Sequence, residues 1–471
     1  MNVVVFVNAV LMLLLAGLMA AEALVFGESR EVFLLAGVIL GALGLFLAAA
    51  TRGPARRLTL RHTFLLTTSV WLTAGVAGAL PLFIWGMGAI DALFESVSGL
   101  TTTGATVLSG LDQTPRGILM WRALLQAVGG VGFIVTGMAL LPILRTGGMQ
   151  LFRTESSDKG DKELATATRY AGATLGVYSG LIVLCGLIYH IGGMNVFDAI
   201  THALTTLSTG GYSNYDASFG HFDSAFLQWV ATFFMLAGAV PFAWYIRALY
   251  RRQYASEQVA ALLKTLAVVI LALTLWVSWQ SGRDFMETLR AVSFNLVSVV
   301  TTTGYATEDF LAWGPVAITV FFFFTAMGGC TGSTAGGGKM MRWILVFRAT
   351  VAALRRIRYP HRIITIRYEG RPVSEDVLSG VITFFMFYFL TVAALAVALA
   401  LTGLDFDTSI SGALTAVANV GPGVGTIIGP SGNFAPLDST AKLLLTFGMF
   451  VGRLEMLTVY VLFTRRFWRD F

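Results

Sequence analysis

Long apolar runs alternate with short polar breaks along nearly the whole chain. Runs at 3–26, 32–50, 64–85, 118–144, 171–191, 225–246, 262–279, 315–347, 377–401 and 443–463 approach or exceed the roughly 20 apolar residues that carry a helix across a bilayer, so about ten spans are predicted. Four segments between them are too short to cross: 91–102, 196–208, 286–302 and 407–418. Each leads into a stretch of small and hydroxyl-bearing residues. These are "TTTGATVLSG" from Thr101, "LSTGGYSNYD" from Leu207, "TTTGYATEDF" from Thr301 and the looser "ANVGPGVGTI" from Ala418.

The four stretches share a frame. Counting back from Gly104, Gly210, Gly304 and Gly421, "FESVSGLTTTG" from Phe94 matches "FNLVSVVTTTG" from Phe294 closely. "ITHALTTLSTG" from Ile200 and "SGALTAVANVG" from Ser411 keep the same small and apolar pattern, which points to internal repetition. The repeating unit is span, short helix, loop, span. An even number of spans per unit gives every copy the same orientation, as parallel repeats about an axis along the membrane normal. The expected fold is an all-α membrane protein with four parallel span–pore helix–span repeats around a central pore. The repeats fall at 62–145, 168–248, 257–347 and 376–465, and residues 1–50 add an N-terminal two-helix hairpin. The first run lacks a basic leading region, runs long and shows no small-residue cleavage site before Glu28, so it reads as a retained span rather than a signal peptide. Asp91 and Asp407 suit the positive N-terminal ends of short helices dipping in from the extracellular side. Non-helical backbone at membrane depth survives only where protein shields it or it lines water, so four such loops imply a cavity.

Composition agrees with this pattern. Of 471 residues, 56% are hydrophobic and 12% charged, against about 25% charged in soluble domains. The net charge of +6 would suit a nucleic-acid partner if it were clustered on one surface, but it follows the loops instead. Arg52, Arg56, Arg57 and Arg61 share one loop, and Arg247, Arg251 and Arg252 another. A third holds Arg348, Arg355, Arg356, Arg358, Arg362, Arg367 and Arg371, while Arg465, Arg466 and Arg469 close the chain. Even numbers of spans separate these loops, so the positive-inside rule makes their side cytoplasmic, with both termini there. The long arginine-rich loop is also suited to dock a soluble partner. Cys185 and Cys330 read as packing residues, and His62, His190, His202, His221 and His361 have no ligand spacing. No nucleophile, base or metal constellation supports an enzyme. Asp112, Asp216, Glu308 and Asp309 follow the loops and either draw cations to the mouth or serve as turn residues.

A cation leaving water needs replacement oxygens, and rings of backbone carbonyls supply them for potassium. Glycine directs a carbonyl at an axis with no side chain in the way. Threonine adds a hydroxyl acceptor and a β-branch that favours extended backbone. Half-helices ending at the loops aim partially negative C-termini at the ion. The alternative is that Gly and Thr merely permit close helix packing.

From about Phe64 to the end the chain resembles the Trk/Ktr/HKT superfamily of potassium transporters. The two extra N-terminal spans, "GGMQLFRTESSDKGDK" from Gly147 and "NVGPG" from Asn419 resemble more closely its TrkH branch, the membrane subunits of bacterial Trk systems. The resemblance implies a potassium filter of Thr102, Thr103, Gly104, Ser208, Thr209, Gly210, Thr302, Thr303, Gly304, Asn419, Val420 and Gly421. Plant relatives that favour sodium carry serine at the first filter glycine, so Gly104 favours potassium. The fourth loop departs from TTTG and makes the ring chemically asymmetric.

Two features obstruct the path. "FTAMGGCTGSTAGGGKMMR" interrupts the run at 315–347, where each glycine costs a helix about 1 kcal/mol relative to alanine. It is not a phosphate-binding loop, because Ser333 stands where that motif requires glycine and Met340 where it requires Ser or Thr. The resemblance implies an intramembrane gate at Gly328, Gly329, Gly332, Gly336, Gly337 and Gly338; a plain kink or a cytoplasmic loop is the alternative. Arg453 stands near the middle of the last predicted span, where an arginine costs about 2.5–3.5 kcal/mol. Two residues apart on one helix, Glu455 would lie nearly opposite, so Arg453 must look elsewhere. The resemblance places it below the filter as a barrier to cations, the alternative being a side chain that snorkels to the interface. It further implies potassium uptake across a bacterial inner membrane by a homodimer in membrane lipid, under a cytosolic nucleotide-binding TrkA-like ring, with no covalently bound cofactor. A sodium- or proton-coupled symporter of the same fold, and a membrane enzyme or receptor using the cavity, are the rival readings.

Overall fold

Proline, glycine and buried charge decide where the apolar runs bend. The computed structural model describes residues 2–53, 59–139, 163–362 and 364–469, and it is helical almost throughout. The segment from Gly147 and the basic residues Arg56 and Arg57 lie outside the described residues.

Helices α1 (Asn2–Val25) and α2 (Arg30–Ala50) pack together antiparallel. Gly37 of α2 approaches Ala16 of α1, and Gly44 approaches Leu13 and Ala9. Asn8 Nδ2 donates to Ser69 Oγ at 2.9 Å, tying α1 to α3 (Leu60–Trp85). Leu14, Leu24, Val38, Leu45 and Phe46 remain exposed on this pair, as expected of surface that meets lipid.

A long helix, a short helix, a non-helical loop and a further helix then occur four times. The first set is α3, α4 (Ala89–Leu100) and α5 (Arg116–Ala139). The second is α6 (Glu163–Ile191), α7 (Val196–Leu207), α8 (Ala225–Ala239) and α9 (Phe242–Arg251). The third is α10 (Glu257–Ser281), α11 (Phe285–Val300), α12 (Pro315–Thr325) and α13 (Met340–Arg358). The fourth is α14 (Glu375–Ala400), α15 (Phe406–Ala418), α16 (Ser439–Arg453) and α17 (Leu457–Tyr460). A two-residue hairpin, β1 (Arg367–Tyr368) with β2 (Arg371–Pro372), joins α13 to α14, and α18 (Arg465–Trp468) follows α17.

The short helices α4, α7, α11 and α15 have 12, 12, 16 and 13 residues, too short at 1.5 Å per residue for a hydrocarbon core of about 30 Å. Three begin on side-chain caps: Asn195 accepts from Asp198 N, Asp284 from Met286 N and Glu287 N, and Asp405 from Thr408 N. Asp91 and Asp407 stand in the first turn, where a carboxylate meets the helix dipole favourably. Asp91 also bonds Lys442 of α16 at 2.7 Å, linking the first set to the fourth.

Among the described residues, six helices are long and apolar enough to cross a membrane, or eight if two bent pairs each count as one span. Both bends correct a predicted straight span. The run at 225–246 turns by 91° between α8 and α9. Pro241 has no N–H to give a helix and pushes Val240 to extended backbone (φ −85°, ψ 145°), while Phe242 N is taken by Gly332 O at 3.0 Å. The run at 443–463 turns by 103° after Arg453, through Glu455 (φ 59°) and Met456 (φ 46°). Arg453 therefore ends a helix instead of standing mid-span, and Glu455 is not on its helix at all. The run at 315–347 is interrupted between α12 and α13, where its glycines cluster.

Candidate functional site: a ring of four loops and the segment beneath it

Each short helix ends in the same closure. Thr102 N donates to Gly99 O at 2.9 Å, and Thr103 N to Ser98 O at 2.9 Å. The matching pairs are Thr209 to Thr206 and Gly210 to Thr205, Thr302 to Val299 and Thr303 to Ser298, and Asn419 to Ala416 and Val420 to Thr415. This Schellman pattern uses up terminal helix carbonyls and needs one left-handed residue, usually glycine. Here that residue is Thr102 (φ 53°), Thr209 (51°), Thr302 (59°) or Asn419 (57°). Left-handed backbone is an outlier for a β-branched residue and costs about 1–3 kcal/mol. The expectation of extended backbone is thus corrected at Thr102, Thr209 and Thr302: closing the helix end overrides their own preference.

The shared bonds set the register. Thr103, Gly210, Thr303 and Val420 correspond, and the next residues are Gly104 (φ 82°), Gly211 (73°), Gly304 (84°) and Gly421 (108°). The counterpart of Gly104 in the second loop is Gly211. The sequence register, which matched Gly210, is one residue out because it stopped at the first glycine of a pair. Ser208 corresponds to Thr101, so the second triplet becomes Thr209, Gly210 and Gly211.

These glycines close a circuit. A Cβ on Gly104 would overlap the carbonyl oxygen of Gly210, one on Gly211 that of Thr303, and one on Gly304 that of Val420. On Gly421 it would lie 2.7 Å from the carbonyl oxygen of Thr103. The contacts run from first loop to second, second to third, third to fourth and fourth to first, which only loops gathered around one axis can do.

The lining is braced from behind. The Oγ1 atoms of Thr101 and Thr103 are 2.8 Å apart, as are those of Thr301 and Thr303. Asn419 Nδ2 donates to Thr103 Oγ1 at 3.0 Å and to Met449 O at 2.9 Å. Thr102 Oγ1 and Asn419 Oδ1 are buried with no hydrogen-bond partner in the protein; both are oxygens that a cation can use. Gly129, Gly238 and Gly452 let the following helices approach the carbonyls of Leu100, Leu207 and Val417. Arg122, fully buried, holds Glu95 Oε1 at 2.8 Å and donates to Ser213 O at 3.0 Å, while Glu95 Oε2 accepts from Val107 N at 2.9 Å. This ion pair joins the first and second loops just past the ring.

Residues 326–339, between α12 and α13, pack against the helix ends that carry the ring. Thr334 Oγ1 donates to Leu207 O at 3.0 Å and Gly238 O at 2.9 Å, Thr209 Oγ1 donates to Thr334 Oγ1 at 3.2 Å, and Gly336 N donates to Thr302 Oγ1 at 2.8 Å. A Cβ on Gly336 would overlap the Ala418 carbonyl. Gly328, Gly332 and Gly337 have φ of 77°, 84° and 71°, whereas Gly329 and Gly338 are pressed by Ala239 and Trp343.

Arg453 Nη1 donates to Thr334 O at 2.9 Å and Nη2 to Gly129 O at 3.4 Å, so its side chain does turn away from Glu455. Glu455 instead accepts from Arg342 Nη2 at 2.6 Å, with Lys339 Nζ 3.6 Å from its other oxygen. Sequence reading named Glu455 but not its ion pair, and it missed Lys339, Arg342, Glu95 and Arg122. Their signal was a charge inside an apolar stretch, which marks a functional position by default.

The acidic residues beyond the loops all make protein contacts, those of Asp216 and Asp112 joining the first and second loops. Asp216 accepts from Gly110 N and Leu111 N, Asp112 from Asp216 N, Asp309 from Leu311 N, and Glu308 pairs with Arg283 at 3.1 Å. Among the described residues no group of three or more His, Cys, Asp or Glu could hold a metal ion.

The chain matches the family model of TrkH, a cation transport protein, over residues 29–470. Trk system potassium uptake protein TrkI of Halomonas elongata is 48% identical over 413 residues, covering 86% of this chain and 84% of that protein. Trk system potassium uptake protein TrkH of the same organism is 37% identical over 445 residues, covering 92% and 91%. The crystal structure of the potassium transporter TrkH from Vibrio parahaemolyticus is similar with a TM-score of 0.91 at 30% identity, covering 99% of each chain.

Proposed function

This chain belongs to the TrkH family of cation transport proteins, and on that footing we propose that it takes up potassium across a bacterial inner membrane through the ring of four loops. An ion entering the ring exchanges water for protein oxygens. The carbonyls of Thr103, Gly210, Thr303 and Val420 supply one layer, and Thr102, Thr209, Thr302 and Asn419 stand next to it in each loop. The filter then consists of these eight residues with Gly104, Gly211, Gly304 and Gly421. The single observation that carries this reading is the closed circuit of glycine-to-carbonyl contacts. Its experiment is ion flux from purified protein in proteoliposomes: potassium moves in preference to sodium and needs no sodium or proton gradient. Uptake that requires such a gradient would favour coupled symport instead.

In this reading residues 326–339, with their glycines, are the gate. They lie against the ring's helix ends, so permeation requires them to move. The Thr334 hydroxyl, shared between Leu207 O and Gly238 O, and the Gly336 N bond to Thr302 Oγ1 each contribute about 0.5–1.5 kcal/mol net and the Arg453 bond about 1.5–3 kcal/mol, which puts gate release at a few kcal/mol, within reach of a bound regulator. Arg453 places a positive charge on the ion's path below the ring. The arginine-bearing ends of α9, α13 and α18 and both termini face the cytoplasm. The protein works as a homodimer, and the exposed Arg355, Arg356, Arg358 and Arg362 provide a basic surface for a cytosolic nucleotide-binding ring.

A further inference from the structure

One position of the ring breaks the pattern of the other three. Thr103, Thr303 and Val420 carry side chains, and their counterpart Gly210 has none. The backbone does not demand glycine there, because Gly210 is not among the residues of positive φ and its counterparts are all ordinary L-residues. What excludes a side chain is Gln126 of α5: a Cβ on Gly210 would overlap its carboxamide. Gln126 is fully buried. Its Nε2 donates to the Gly210 carbonyl at 2.7 Å, and its Oε1 accepts from Tyr212 N at 3.1 Å. The carboxamide therefore grips the backbone on both sides of Gly211.

The spans that follow the second and fourth loops offer a comparison. Gly129, Gly238 and Gly452 make the same approach to a short-helix carbonyl, and three residues before them stand Gln126, Met235 and Met449. The position is apolar in those two and polar beside the loop that lacks a side chain.

We infer that Gln126 is a specificity-determining residue of the filter, its carboxamide replacing the side chain absent from the second loop and fixing the Gly210 carbonyl in the ring. A carbonyl oxygen has two lone pairs, so accepting from Gln126 leaves one for the ion while it stops the peptide from turning. Without that bond, Gly210–Gly211 is the most pliable pair in the ring. A carbonyl free to rotate supports a smaller ion as readily as a larger one, and the preference for potassium falls.

This inference rests on the filter reading, and the test separates the two. Potassium and sodium fluxes are compared in proteoliposomes for the unaltered chain, Gly104→Ser, Gln126→Leu, Gly210→Thr and the double variant Gln126→Ala with Gly210→Thr. Gln126→Leu removes both carboxamide bonds, and loss of the one to the Gly210 carbonyl should lower its potassium-to-sodium ratio about tenfold, with an unchanged size-exclusion profile. Gly210→Thr alone should lose transport, and the double variant should recover it together with selectivity. A Gln126→Leu ratio at the unaltered value while Gly104→Ser loses selectivity would overturn the role of Gln126 and leave the filter standing. A double variant no better than Gly210→Thr would overturn it too, and that comparison decides the matter if Gln126→Leu does not fold. A ratio moved by neither Gly104→Ser nor Gln126→Leu would overturn the filter reading and this inference with it.

Discussion

Arg342 Nη2 lies 2.6 Å from the Glu455 carboxylate, a contact between residues 113 apart in sequence and both buried. Glu455 stands two residues beyond the end of α16, in left-handed backbone, so the ion pair holds open a break that the local sequence does not require. Removing one member of a buried pair leaves the other charge uncompensated, at about 3–5 kcal/mol. We expect Glu455→Ala, which takes the carboxylate from both Arg342 and Lys339, to destabilise by that order, Arg342→Ala to cost less because Lys339 stays beside Glu455, and the double variant to be less destabilised than their sum. Denaturation of the purified protein in detergent, arranged as a double-mutant cycle, checks this.

Arg453 ties the segment beneath the ring in place through Thr334 O and, in the proposed path, repels cations. Arg453→Ala should therefore raise the initial rate of potassium flux in proteoliposomes. Unchanged flux from a folded variant would contradict the barrier role.

The corrected register separates two neighbouring glycines. Gly211 has φ 73° and no room beside the Thr303 carbonyl, whereas Gly210 has no positive φ and meets a side-chain end, the Gln126 carboxamide, rather than backbone. Gly211→Ala and Gly304→Ala should both abolish transport, and Gly210→Ala should retain more of it. Initial uptake rates at matched protein levels check this, and the reverse order would restore the original register.

Gly104 admits no side chain without displacing the Gly210 carbonyl. Gly104→Ser should lower the preference for potassium over sodium, read as the ratio of the two fluxes. An unaltered ratio would remove Gly104 from the filter.

Much of the architecture was legible because the membrane imposes it: the apolar runs, the short helices between them and the fourfold echo of small residues are one-dimensional signals. The details that escaped depend on contacts distant in sequence. Val240–Pro241 bends a run whose hydropathy never falters. Glu455 breaks the last run to meet Arg342, on a helix from another set. Gly210 and Gly211 are interchangeable by composition, and only the Schellman bonds and the Thr303 carbonyl tell them apart. Threonine's extended preference failed at Thr102, Thr209 and Thr302 because helix closure outweighs it. Gln126 reads as one polar residue in an apolar helix, and nothing local ties it to Gly210, 84 residues away.

The central claim is that four backbone carbonyls from four loops coordinate one ion, and anomalous scattering from crystals grown in rubidium tests it most directly. The expected result is a rubidium peak on the axis among the carbonyl oxygens of Thr103, Gly210, Thr303 and Val420. A protein that transports rubidium yet shows its peaks only away from those oxygens would contradict the account.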